Sequence, residues 1–153
     1  MIEGVYVVPA DSGLTAAADV DREGVRIGVN EGSAYDLFLS RTLRRASLVR
    51  GDEEADPFRD LGADVTAGIR QPMTKYVRDH PGFRLIDGRF MEIRQALGTT
   101  RARRPETAAF LRAFVEELKA SGFIADALRR AGQPDVTVAP PVQGAAGNPH
   151  LRH

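Results

Sequence analysis

The sequence predicts an α/β domain with a largely parallel sheet flanked by helices, and three observations predict it. Strand-like and helix-like segments alternate from residue 25 to residue 86. The segment Ala63-Asp-Val-Thr-Ala-Gly-Ile69 is built of small and apolar residues, as a central strand covered on both faces would be. The pair Gly32-Ser33 stands where a strand hands over to a helix, with serine in the N-cap position. Sheets of this class take ligands beyond the carboxyl ends of their strands, and Gly32-Ser33 and Arg70-Gln71 both lie at such ends.

Composition narrows the field. The chain has 153 residues, 42% apolar and 27% charged, which suits one globular domain with a packed core. Basic and acidic residues number 21 each, so no net field draws the chain to nucleic acid or a membrane surface. Arg41, Arg44 and Arg45 read as a solvated helix face. No apolar run approaches the roughly 18 residues of a membrane span. The opening Met1-Ile2-Glu3-Gly4 has neither a basic nor an apolar leader region, so no export signal is expected on this chain. The absence of cysteine excludes disulfides, thiolate nucleophiles and zinc–thiolate sites.

The elements follow in order. Residues 2–8 are β-rich and stop at Pro9, and Leu14–Val20 allows a turn or two of helix. Val25, Ile27 and Val29 alternate as a half-buried strand, and Leu37, Phe38, Thr42 and Leu43 recur near a helical period over 33–45. A short strand is expected at 46–50 and a short helix at Glu53–Leu61, where Pro57 is awkward and Gly62 supplies the stop. The strand at 63–69 leads into a helix with Pro72 in its first turn, ended by Pro81-Gly82. Strands at 83–86 and 89–96 flank the turn Asp87-Gly88. A long helix from Pro105 carries Ala109, Phe110, Ala113 and Phe114 on one stripe, and a shorter one carries Phe123, Ile124, Ala127 and Leu128. Residues 134–153, rich in Pro, Gly and Ala, predict a mostly extended tail.

Candidate chemistry concentrates at the strand ends. Backbone N–H groups at Gly32, Ser33 and Ala34, with the positive end of the helix dipole, can hold a carboxylate or phosphate. The same residues also read as a plain strand-to-helix connection. Arg70 offers a bidentate fork for a carboxylate, or a sheet-end salt bridge with Asp64, and Gln71 stands beside it. Tyr35 can wall such a pocket or simply pack, and Arg94 and Gln95 are further candidates at the end of the 89–95 strand. His80 reads as a helix-end cap, and His150 and His153 fall in the tail. Glu53-Glu54 and Glu116-Glu117 are sequence neighbours that point apart on a helix, so they read as surface charge. No metal, P-loop or dinucleotide motif is present, so neither metal nor cofactor is expected.

Five segments in order resemble a known family. Tyr6-Val-Val-Pro-Ala-Asp-Ser-Gly13 looks like the strand that leads from a first lobe into a second. Asp19 to Leu37, with Gly-Val-Arg-Ile-Gly-Val-Asn-Glu-Gly-Ser at its centre, looks like the opening of that second lobe. Gly62-Ala-Asp-Val-Thr-Ala-Gly68, Phe90-Met-Glu-Ile-Arg-Gln-Ala96 and Glu116 to Leu128 match its later strands and closing helices. Together they resemble the bacterial extracellular solute-binding proteins of the amino-acid type, capture components of ABC importers with a periplasmic-binding-protein-like (type II) fold.

The resemblance implies a hinge strand at 1–8, the second lobe at 9–93, a return hinge with C-terminal helices of the first lobe at 94–132, and a flexible tail at 133–153. It implies a non-catalytic protein that binds a small anionic or zwitterionic carboxylate through Gly32, Ser33, Ala34, Tyr35, Arg70 and Gln71, with an ABC permease as partner and a periplasmic location. The family's usual Asp after the strand matching 63–69 is replaced around Ile69, Arg70 and Gln71. The strands matching the family's first lobe are not in this sequence, which implies either a fragment or a short product that completes itself by association; poor affinity is expected of this chain alone, and in the second case the stripe at 105–128 could drive a homodimer. Two alternatives share the fold: a dehydratase of cyclohexadienyl acids and a regulatory effector module.

Overall fold

Val5 to Val8 are fully or almost fully buried, and the reason is the place of their strand, β1 (Ile2–Pro9), in the middle of a six-stranded sheet. The structure, a computed structural model, describes residues 1–101, 103–133 and 136–142. After β1 come β2 (Arg26–Asn30), α1 (Ala34–Thr42), β3 (Ser47–Gly51), β4 (Val65–Ile69), α2 (Arg70–Asp79), β5 (Phe83–Leu85) and β6 (Met91–Ile93). The sheet order is β3-β2-β4-β1-β5, with β6 pairing β1 beside β5. Strands β2, β3 and β4 pair in parallel, and β4, β5 and β6 all run antiparallel to β1. Five strands therefore point one way and β1 alone points the other, so the sheet is mixed but mostly of one direction.

The alternation seen in the sequence sets the two faces. Tyr6, Val8, Ile27, Val29, Val65 and Ala67 meet Leu39 of α1, Val20 and Ile86 in the main core. Burying each large apolar side chain contributes about 1.5–3 kcal/mol. On the opposite face, Gly28 and Gly68 leave room for close approach: a Cβ at Gly28 would lie 2.8 Å from Pro57 Cβ, and one at Gly68 would lie 2.8 Å from Met73 Sδ. The 52–62 segment and α2 thus cover that face, and β4 is covered on both sides as its small residues predict.

Long-range polar ties fix the connections. The Asp21 carboxylate accepts from the amides of Arg44, Arg45 and Ala46 at 2.8–3.1 Å, pinning the turn between α1 and β3. Those amides, Ala46 and Arg45 foremost, hold the Asp21 carboxyl below its usual range. Arg84 donates to the carbonyls of Ala10, Ser12 and Leu14, tying the loop after β1 to β5.

Several expected elements are shorter, and one is different. The short helix expected at Glu53–Leu61 is absent; the segment is a run of turns. Asp52 accepts from the amides of Glu54 and Ala55, and Asp56 from those of Phe58 and Arg59, so side-chain carboxylates take donors that a helix would have used. The Leu14–Val20 segment contains only a 3-10 turn, Ala17–Asp19. Arg89–Ala96 narrows to β6.

The chain divides into two compact units, Ile2–Ile93 and a second made of Met1 and the described residues from Arg94 on. The second carries α3 (Pro105–Ala120) and α4 (Phe123–Arg130), joined through Gly122 at φ 76°. Glu116 accepts from the amide of Val142 and Lys119 donates to the carbonyl of Pro140, so that part of the predicted tail is bound to α3. Most of the tail, with His150 and His153, lies outside the described residues. Phe110, Phe114 and Phe123 are exposed.

Candidate functional site

The turn after β2 forms as its residues dictate. Gly32 adopts φ 71°, a left-handed conformation that glycine takes without strain, and Ser33 Oγ then caps α1 by accepting from the Asp36 amide at 3.1 Å. Asp36 is the residue that sequence reasoning missed. It is 4% exposed, and its carboxylate accepts from the Gly32 amide at 2.9 Å, Ser40 Oγ at 3.2 Å and Arg50 Nε at 3.0 and 3.2 Å. Burial alone would raise its pKa, but the hydrogen bonds from Arg50, Gly32 and Ser40 outweigh burial and hold the carboxyl below its usual range.

This network changes which donors the turn can offer. The Gly32 amide goes to Asp36, the Ser33 amide to the carbonyl of Asn30 at 3.2 Å, and Ser33 Oγ to the cap. The amides of Ala34 and Tyr35 stand in the first turn of α1, where helix geometry supplies no internal acceptor, and are the donors the turn has left to offer. Beside them lies an open depression of about 630 Å³ lined in part by Asn30, Glu31, Tyr35, Asp52 and Glu53. The amides favour a carboxylate, while the three acidic side chains around them favour a ligand that also carries positive charge.

Arg70 sits at the start of α2, and its guanidinium is turned to Glu3 at 2.5 Å and to the carbonyl of Gly88 at 3.1 Å. Arg89 reaches the other Glu3 oxygen at 3.0 Å. The Arg70 hydrogen bond, ahead of the Arg89 contribution, holds Glu3 below the usual carboxylate range. Asp64, the partner considered from sequence, instead accepts from the Arg26 amide at 2.8 Å. Ala34, Arg70 and Gln71 do not line the depression at the turn, so the structure brings Gly32, Ser33 and Tyr35 together there and leaves those three outside it.

A second cavity, of about 450 Å³, opens between the 53–59 turns and α2. Its walls include Pro57, Met73, Tyr76 and His80, and Thr66 and Gly68 lie on its strand side. Thr66 is 6% exposed and its hydroxyl has no hydrogen-bond partner among the described residues. The Tyr76 and His80 rings stack at 4.2 Å, and His80 Nδ1 lies 2.9 Å from the Tyr76 carbonyl, the helix-end role read from sequence. Among the described residues, no group of three or more His, Cys, Asp or Glu side chains is placed to hold a metal ion.

Comparison with known proteins places the fold. No family description matches the sequence, and no curated protein is significantly similar to it. Solved structures are similar in fold. An ancestral arginine-binding protein bound to arginine matches with TM-score 0.61 at 16% identity, over 84% of this chain and 59% of its own. A protein described as a binding component of an ABC transporter from Wolinella succinogenes DSM 1740, complexed with lysine, matches with TM-score 0.61 at 15% identity, over 84% and 58%. An ancestral cyclohexadienyl dehydratase matches with TM-score 0.51 at 16% identity, over 84% and 56%.

The chain therefore has the periplasmic-binding-protein-like fold of the amino-acid-type solute-binding proteins. It spans a little under 60% of the length of these neighbours.

Proposed function

We propose that this chain supplies one lobe of a solute-binding protein and forms one wall of a ligand cleft at the carboxyl ends of β2 and β4. The observation that carries the reading is the α1 N-terminus: first-turn amides at Ala34 and Tyr35 without a helical acceptor, with Tyr35 lining a depression shared by Glu31, Asp52 and Glu53. Amide donors suit a carboxylate, and the acids suit an ammonium group. An amino acid or related zwitterion fits both, which is narrower than the anionic or zwitterionic class expected from sequence. Gly32 and Ser33 serve by shaping the turn, Tyr35 by walling the depression, and Arg70 by tying the start of α2 to Glu3 and the Gly88 carbonyl.

Binding as the role is supported by fold neighbours described as an arginine-binding protein and a binding component of an ABC transporter. Transport through an ABC permease and a periplasmic location accompany this reading, as does division into a hinge strand, the lobe to residue 93, and returning helices. The exposed Phe110, Phe114 and Phe123 provide an apolar face for a second copy; sedimentation that shows dimers lost in Phe110→Asp supports that, and a monomer at all concentrations overturns it.

A thermal-shift screen against amino acids and dicarboxylates tests the central reading. A ligand at 100 times its Kd raises stability by roughly 2.7 kcal/mol. Shifts with zwitterionic amino acids and none with dicarboxylates are expected. The reverse ranking contradicts the assignment.

A further inference from the structure

We propose that β6 is a strap latched onto β1 by charge: it turns about Phe90, and Arg89 holds it down by bridging two carboxylates that face each other across the strand pair. In the β1–β6 register Glu3 stands directly opposite Glu92. Like charges in that position oppose pairing. Arg89 offsets them, with Nη1 3.0 Å from one Glu3 oxygen and Nη2 3.4 Å from a Glu92 oxygen. Arg70 at the start of α2 donates to the other Glu3 oxygen and to the carbonyl of Gly88, so the turn that carries Arg89 is tied into the same cluster. Arg94, the next cation along the chain, follows the strap at once.

The two ends of the strap are held unequally. At its start, the Phe90 ring stacks on buried Tyr6 with centroids 4.4 Å apart, and the Phe90 amide donates to the Gly4 carbonyl at 3.0 Å. Beyond that pivot only Met91–Ile93 remain, all half-buried and, among the described residues, paired with β1 alone. So short a strand gains little from its ladder, and a contribution the size of a few cross-strand contacts decides whether it stays docked. Arg89 is half exposed, so salt reaches the latch. The first compact unit ends at Ile93. Release of Met91–Ile93 therefore adds about 10 Å of chain to the connection leading into the second, at roughly 3.3 Å per residue. The latch thus sets the length of that connection. It uses no residue of the depression at the α1 turn and does not depend on that depression holding a solute.

The test is amide hydrogen exchange of the full chain, followed by NMR at about 20 mM and about 500 mM sodium chloride. In the parent, exchange at the β1-bonded amides of 91–93 should quicken about three-fold or more at the higher salt, with Phe90 and Val5–Val8 unchanged. Arg89→Gln should quicken exchange at 91–93 about five-fold at low salt and abolish the acceleration by salt. Adding Glu92→Gln to Arg89→Gln removes one of the facing charges and should slow exchange again, which loss of the arginine's packing alone would not produce. Equal exchange in the parent and Arg89→Gln, no recovery in the double variant, or acceleration running equally through Val5–Val8 would each overturn the proposal.

Discussion

Arg50 on β3 donates its Nε hydrogen to the buried carboxylate of Asp36 on α1, while its Nη2 reaches Ser40 Oγ at 2.8 Å. The pair joins an edge strand to the helix whose N-terminus carries the proposed site, and through the Gly32 amide it also sets the turn. Arg50→Ala leaves Asp36 buried without its cation. Breaking a buried pair costs about 3–5 kcal/mol, and the partial exposure of Arg50 reduces the expected loss to about 2 kcal/mol. Urea unfolding of the variant measures it.

The pH dependence of stability follows from the same carboxylates. Asp36, Asp21 and Glu3 all have folded-state pKa values below their ordinary ones. Their contribution is therefore fully present above the unfolded values near pH 4 and is lost as pH falls through the folded values. In Arg50→Ala the burial of Asp36 is no longer outweighed by the same bonds, so its folded pKa rises, Asp36 stops contributing to the acid loss of stability, and the variant's deficit relative to the parent should shrink as pH falls. Urea midpoints measured between about pH 6 and about pH 2.5 should therefore fall less steeply in the variant than in the parent.

Asp21→Ala removes the acceptor of three consecutive amides at 44–46. These are charge-assisted bonds to the backbone, and the loss should be about 1–3 kcal/mol. Amide exchange should accelerate first at Arg44, Arg45 and Ala46. Unchanged protection there would show that the turn holds without Asp21.

Glycines on the second sheet face should differ in their tolerance of a methyl group. Gly28→Ala meets Pro57 Cβ, which cannot swing away, and should cost about 1–3 kcal/mol. Gly68→Ala meets the flexible end of Met73 and should cost less. Thermal midpoints of the two variants, compared side by side, give the ranking.

What was legible in the sequence was local. The alternation at Val25, Ile27 and Val29 gave β2, the small residues of 63–69 gave the central β4, and Ser33 was an N-cap because it precedes a helical repeat by one position. The long-range pairs were not legible. Arg50 meets Asp36 across 14 positions and Arg70 meets Glu3 across 67, and no periodicity links them. Asp36 sits next to the motif that drew attention, yet only the fold shows that it takes the Gly32 amide. The 53–61 misreading has a physical cause too: acids suit a helix N-terminus, but Asp52 and Asp56 use their carboxylates to cap turns instead.

The central claim, a carboxylate-binding site at the amides of Ala34 and Tyr35, is tested most directly by titrating the chain with amino acids and following backbone amide shifts. The structure predicts saturable shifts centred on Ala34 and Tyr35, absent when the α-carboxylate is replaced by an amide. Saturable binding that leaves both amides unmoved, or that survives loss of the carboxylate, would contradict it.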